Sequence, residues 1–235
     1  MRRKSDKTKY AQRMGKGSGA KYKPWIQVGE FGSRGTAARV VDWKTGRVVH
    51  LLSQNEIYAW YILRWQDGVT DINEQYPLDL EETKKLCEEY GIKHPSYRGS
   101  PAVMTTDLLV FTTKGKMAFS VKPNNQLSER SIEKLFIEQK YWESKKIPWR
   151  LITAEDIDFT YAYNIRDVVT FYNATVFPDT ISRLKYLIAH KKVKVDLTKN
   201  INWHELCAQF TGGLSCQQSA SQSATSSSKM ASDSE

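Results

Sequence analysis

VMTTDLLVFTTKGKMAFSVK, residues 103–122, is the stretch on which the fold turns. Two apolar segments, Thr106–Phe111 and Met117–Val121, flank the turn dipeptide Lys114-Gly115, and Pro123 closes the second. This pattern predicts a β-hairpin. With Lys114 and Gly115 as a two-residue loop, Thr113 pairs with Lys116 and Asp107 falls opposite Lys122. Opposed residues share a face, with Cβ atoms roughly 5 Å apart. Period-2 alternation adds Ser120 to that face. A turn one residue longer would send Lys122 to the other side.

Outward from the hairpin, Ser128 can cap a helix running to about Lys146, with Ile132, Leu135, Phe136 and Trp142 along one side. Trp149–Thr153 follows as a buried strand. On the N-terminal side, Val40, Val41, Val48 and Val49 flank a Lys44-Thr45-Gly46 turn, and Ser53 opens a helix to about Trp65 with Ile57, Trp60, Tyr61 and Leu63 on its apolar face. A strand over Val69–Tyr76 ends at Pro77, and a charged helix from about Leu80 to Tyr90 stops at Gly91. A helix, then strand, hairpin, helix and strand make an α/β layered core with a mixed sheet flanked by helices.

The flanks differ in texture. Residues 1–23 carry nine Lys/Arg against the single acid Asp6, most of the net charge of +9. Residues 1–20 therefore read as a disordered basic arm, punctuated by Gly15, Gly17 and Gly19. Its Arg2, Arg3, Lys4, Lys7, Lys9, Arg13 and Lys16 are candidates for DNA phosphate contact. A solubilising tail is the plainer alternative. The core domain spans 21–153. Residues 154–210 form a small accessory helical domain, with a winged-helix arrangement as one option: helices near 160–172 and 178–190, a strand Lys192–Leu197 and a last helix near 201–210. Residues 211–235, rich in Ser, Gln and Ala, are expected to be a disordered tail. No apolar run approaches the roughly 20 residues that span a bilayer, and no apolar leader opens the chain. The expectation is a cytoplasmic protein without membrane contact. Cys87, Cys207 and Cys216 show no paired spacing, and the four histidines none typical of metal ligands.

Three acids and one lysine carry candidate chemistry. An Asp beside a Lys at a strand end suits Mg²⁺, which needs hard oxygens and is satisfied by one or two carboxylates, water and substrate phosphate. The Lys could orient or help deprotonate the attacking water. An ordinary cross-strand ion pair is the alternative, worth about 0.2–1 kcal/mol. Glu56 completes a Ser53-Gln54-Asn55-Glu56 capping box, so its carboxylate reads equally as a helix cap or a metal ligand. Glu138, on the flank of its helix stripe, reads alone as a solvated acid.

Taken together the chain resembles the TnsA endonucleases of Tn-type transposons, within the PD-(D/E)xK restriction-endonuclease-like superfamily. Segments carrying the resemblance are Lys44-Thr45-Gly46-Arg47, His50-Leu51-Leu52-Ser53, Asp71-Ile72, Glu74-Gln75-Tyr76-Pro77-Leu78 and Gly91-Ile92-Lys93-His94-Pro95. Val103-Met104-Thr105-Thr106-Asp107, Val121-Lys122-Pro123, Tyr141-Trp142 and Ile147-Pro148-Trp149 continue it. The resemblance implies a restriction-endonuclease-like core and Mg²⁺-dependent hydrolysis at the 5′ ends of a bacterial transposon, with Mn²⁺ substituting. Glu56, Asp107 and Lys122 fall on the family's catalytic positions. Glu56, Asp107 and the Val121 carbonyl would hold metal, with Ser120 and Glu138 as further candidates. The position two before the lysine is usually acidic in the superfamily, and Ser120 departs from it. Implied partners are transposon-end DNA, a TnsB-like DDE transposase and a TnsC-like AAA+ ATPase. The alternatives are a restriction-type or junction-resolving nuclease on the same fold, or an inactive DNA-binding or assembly adaptor.

Overall fold

The computed structural model describes residues 4–30, 36–124 and 127–210. Arg2, Arg3 and the tail expected at 211–235 lie outside the described residues. In chain order the elements are α1 (Asp6–Ala11), β1 (Ala38–Val41), β2 (Val48–Leu51), α2 (Gln54–Trp65), β3 (Val69–Pro77), α3 (Leu80–Glu89), β4 (Ser96–Tyr97) and β5 (Ser100–Pro101). There follow β6 (Thr105–Thr112), β7 (Gly115–Val121), α4 (Glu129–Ser144), β8 (Trp149–Ile152), α5 (Phe159–Val169) and α6 (Thr180–Ala189). The chain divides into two compact units after Arg166, inside α5 rather than at Thr153.

The first unit is built on a four-stranded sheet ordered β3-β6-β7-β8, with β3, β6 and β7 antiparallel and β8 parallel to β7. Alternate strand residues go to opposite faces. Leu109 and Ala118 pack with Ile137, Tyr141 and Trp142 of α4 and Cys87 of α3. Leu108, Val110 and Phe119, on the other face, are also buried, and α2 lies against β3, β6 and β7. The helices start where their caps permit: Ser53, Asp79 and Ser128 each accept a backbone N–H of the first turn. Ile132 of α4, expected on the apolar side, is exposed instead.

Residues 4–20 correct the expectation of a disordered arm over 1–20, and the ordered segment runs on to residue 30. Lys9 is fully buried, its Nζ 2.8 Å from Glu30 Oε2 and donating at 2.7 Å to the Trp25 carbonyl. The segment then follows β3, the outer strand of the sheet. Gly19 N–H donates to Asp71 (2.7 Å), Tyr22 Oη to the Glu74 carbonyl (2.9 Å) and Trp25 N–H to the Gln75 carbonyl (3.1 Å). The last two occupy backbone carbonyls of β3 that an exposed sheet edge would offer to another chain. Gly15, at φ 73°, lies so close to Pro77 that any Cβ would collide with the ring.

In the second unit α6 is capped by Asp179, and residues 203–210 are helical. His190 stacks on Tyr172 and meets Tyr186 at a tilt, with its Nε2 2.8 Å from the Tyr172 carbonyl. The strand expected over Lys192–Leu197 is not formed. Lys192 and Val193 N–H groups instead return to the Leu187 carbonyl, and Asp196 accepts from Thr198 to make a turn. Among the described residues no helix is long and apolar enough to cross a membrane.

Candidate active site

The hairpin register sets the geometry. Thr112 Oγ1 donates to the Gly115 carbonyl (3.0 Å) and accepts from Lys114 N–H (3.1 Å), which fixes the turn at Thr113-Lys114. Thr112 therefore pairs with Gly115 and Leu108 with Phe119, two residues from the expected register. Continued, this pairing sets Asp107 level with Ser120 rather than Lys122. A slip of two preserves the face where a slip of one would not. Lys122 thus approaches diagonally, its Nζ 3.1 Å from Asp107 Oδ2. The same oxygen accepts Val121 N–H at 2.7 Å.

Glu56 is brought to this point by α2, whose first turn is tied to the end of β7 through Asn55 Nδ2 and the Lys122 carbonyl (3.1 Å). Both readings of Glu56 hold at once. It caps its helix, accepting from Leu52 N–H (2.9 Å) and Ser53 Oγ (3.0 Å), and it is also linked to Asp107. The link is Gln75, whose Nε2 donates to Glu56 Oε2 (3.3 Å) and Asp107 Oδ1 (3.4 Å). Gln75 is buried, and it had no assigned role in the sequence beyond the motif Glu74-Gln75-Tyr76-Pro77. Neither its placement nor its left-handed φ of 48° has a periodicity signal.

Glu138 is not a solvated helix acid. It is buried on α4, accepts from Thr106 Oγ1 at 2.7 Å and is hydrogen-bonded by Ser120. Trp142 Nε1 donates to the same Thr106 hydroxyl (2.7 Å). Ser120 is fully buried and also accepts from Trp149 Nε1 (3.2 Å), so its hydroxyl is occupied. A cleft of about 280 Å³ opens beside these groups, lined by Thr105, Asp107, Lys122, Lys134 and Glu138 among others.

The electrostatics follow from packing acids together away from water. Burial, then the neighbouring Asp107 charge, pushes the Glu56 carboxyl up to about 7. The same two causes raise Glu138 to about 7. Asp107 holds the Lys122 ammonium above its ordinary range despite burial. The Val121 carbonyl accepts from Lys122 Nζ at 3.1 Å. Among the described residues, no three His, Cys, Asp or Glu side chains converge as a ready-made metal cage.

The basic residues divide. Lys7, Arg13 and Lys16 are exposed and Lys4 is half-buried, donating to Gln12 Oε1 at 2.9 Å. Lys9 is withdrawn from any external phosphate by its buried pairing with Glu30, which removes it from the candidate DNA contacts.

Residues 66–154 match the family described as "TnsA-like endonuclease N terminal". Over 177 residues, 74% of this chain, the sequence is 39% identical to the Escherichia coli protein named "Transposon Tn7 transposition protein TnsA". The matched stretch spans 65% of that protein's length. By this identity and the matching family model, the chain belongs to the TnsA family.

Proposed function

We propose that this chain is a Mg²⁺-dependent endonuclease subunit of a heteromeric transposase, cutting DNA at the 5′ ends of a transposon. Its core would be restriction-endonuclease-like, and its partners a TnsB-like DDE transposase and a TnsC-like AAA+ ATPase. The observation that carries this reading is the Asp107–Lys122 pair at 3.1 Å on the wall of a cleft, with Glu56 joined to Asp107 through one amide. The E. coli relative's name, a transposition protein, supplies the biological setting.

The donor set fits a divalent cation. Glu56 and Asp107 share the Gln75 amide as a common donor, and burial beside the Asp107 charge raises the Glu56 carboxyl, which a cation would relieve. Glu56, Asp107 and the Val121 carbonyl would hold it, with water and substrate phosphate supplying the further oxygens that Mg²⁺ needs. Mn²⁺ asks for similar oxygen ligands. When bound, it supplies Lewis acidity toward water and the phosphoryl group.

The remaining steps belong to the chain. Asp107 orients Lys122, and the ammonium of Lys122 stands ready to donate to a phosphoryl oxygen as charge grows there. Because Asp107 keeps that ammonium protonated, Lys122 serves as a charge partner rather than a base. Glu138, on the same cleft wall and held near 7, is placed to take the proton from attacking water. Lys7, Arg13 and Lys16 would hold the duplex backbone.

The test is a reconstituted reaction with Mg²⁺ and both partners, on transposon-end DNA labelled separately on each strand. With this chain present, 5′ cuts should appear beside 3′ cuts. Omitting it should leave 3′ cuts alone. Cuts by the isolated chain at a specific sequence without partners would favour a restriction-type enzyme.

A further inference from the structure

Gln75 sits at the centre of the site, and the steps described above give it nothing to do. Its position is set by the sheet. Glu74 pairs with Leu108 and Tyr76 with Thr106, so Gln75 lies level with Asp107, which is itself level with Ser120. The row across β3, β6 and β7 is therefore Gln75, Asp107, Ser120. The backbone of Gln75 takes a left-handed φ of 48° inside a strand, a conformation that costs stability for any residue but glycine. Trp25 N–H, from the segment lying along β3, donates to the Gln75 carbonyl at 3.1 Å and braces the turn.

The result of that strained backbone is a buried carboxamide between two acids. Nε2 donates to both Glu56 and Asp107, while Oε1 accepts from Thr105 Oγ1 at 3.3 Å. An N–H donor there does part of a cation's work, compensating two carboxylates. Were a cation to enter, the same N–H would point at positive charge. Rotation of the amide by a half-turn removes the conflict, because it exchanges Nε2 for Oε1. Thr105 permits either orientation, since a hydroxyl both donates and accepts. Amide oxygens are hard ligands of the kind Mg²⁺ takes. Ser120, the other polar side chain of the row, is committed to Trp149 and Glu138.

We infer that Gln75 is a further ligand of the divalent-cation site: its amide bridges Glu56 and Asp107 without the cation and turns to present Oε1 with it. Thr105 holds the amide in both states. This inference rests on the nuclease reading, and the experiment separates the two.

Mn²⁺ binding to the full chain, measured by calorimetry, is compared among wild type, Gln75→Met, Gln75→Glu and Asp107→Ala. Gln75→Met keeps side-chain length but has no amide, and its affinity should fall about 10- to 100-fold. Gln75→Glu supplies an anionic oxygen at the same place, and should bind Mn²⁺ at least as tightly as wild type. Without metal it should melt lower, with Mn²⁺ restoring the difference, because three carboxylates then share the site. A folded Gln75→Met protein with wild-type Mn²⁺ affinity overturns the inference, and if Asp107→Ala has lost binding the nuclease reading still stands. Should Gln75→Met fail to fold, Gln75→Glu decides, and weaker Mn²⁺ binding than wild type overturns the inference. A wild-type chain that takes up no Mn²⁺ removes both.

Discussion

At the scale of single residues, Glu56 shows how one side chain serves two physical demands. Its carboxylate closes the first turn of α2 through Leu52 N–H and Ser53 Oγ, and it faces Asp107 through Gln75. Glu56→Gln separates these demands. An amide oxygen can still accept from Leu52, and the new NH₂ can donate to Ser53 Oγ, but the charge is gone. Stability measured by urea unfolding should stay within about 1 kcal/mol of wild type, while 5′ cutting is lost. A variant that still cuts would leave Glu56 as a helix cap and nothing more.

The raised carboxyls also predict a pH dependence. In the folded chain Glu56 and Glu138 keep their protons up to about 7, whereas in the unfolded chain each loses its proton near the ordinary value of 4.5. Between these values the folded state binds more protons, so stability from these two groups is present at low pH and lost as pH rises through about 7. In chelator, urea unfolding of wild type should lose more stability from pH 5 to pH 7.5 than a Glu56→Gln, Glu138→Gln double variant does. Equal pH dependence in the two proteins would contradict the assigned burial. Of this residue-scale picture, the facing of Asp107 and Lys122 was legible in the alternation of the hairpin, whereas Glu56 came to it only through the family resemblance. Gln75 was not legible, because its role depends on a left-handed turn inside a strand that no sequence period announces.

At the scale of elements, the helices were legible because their ends carry caps: Ser53, Asp79 and Ser128 each start a helix, and Gly91, at φ 65°, follows α3. The hairpin was legible in outline and two residues out in register, because Thr112 rather than the Lys114-Gly115 dipeptide fixes the turn. The order of residues 4–20 was not legible, since counting charges says nothing of burial. Lys9 is the case in point, a cation inside the fold against Glu30. The glycines at 15, 17 and 19 have positive φ values that turn the chain along β3. Gly15→Ala should therefore destabilise the protein by about 1–3 kcal/mol, through both its φ and the Pro77 ring. Urea unfolding checks this, and an unchanged midpoint would mean that the segment does not pack on Pro77.

The same segment still offers exposed cations. Replacing Lys7, Arg13 and Lys16 with Ala leaves the Lys9–Glu30 pair intact, so the fold should survive. If these three touch duplex phosphates, the slope of log affinity against log salt should become shallower by about 1–3 units, at roughly 0.9 per contact. Base preference should not change, because phosphate contacts carry no sequence information. A slope equal to wild type would place the three side chains outside the DNA interface.

At the scale of the whole molecule, the account rests on one claim: the Asp107–Lys122 site of this chain cuts the 5′ strand while a partner handles the 3′ strand. The measurement that bears on it most directly is the reconstituted reaction with Asp107→Ala and Lys122→Ala, both first shown to be folded and to assemble with the partners. The account predicts that either substitution abolishes 5′ cuts on strand-resolved gels and leaves 3′ cutting and joining in place, so that products shift from simple insertions to cointegrates. Undiminished 5′ cutting by either variant would contradict it.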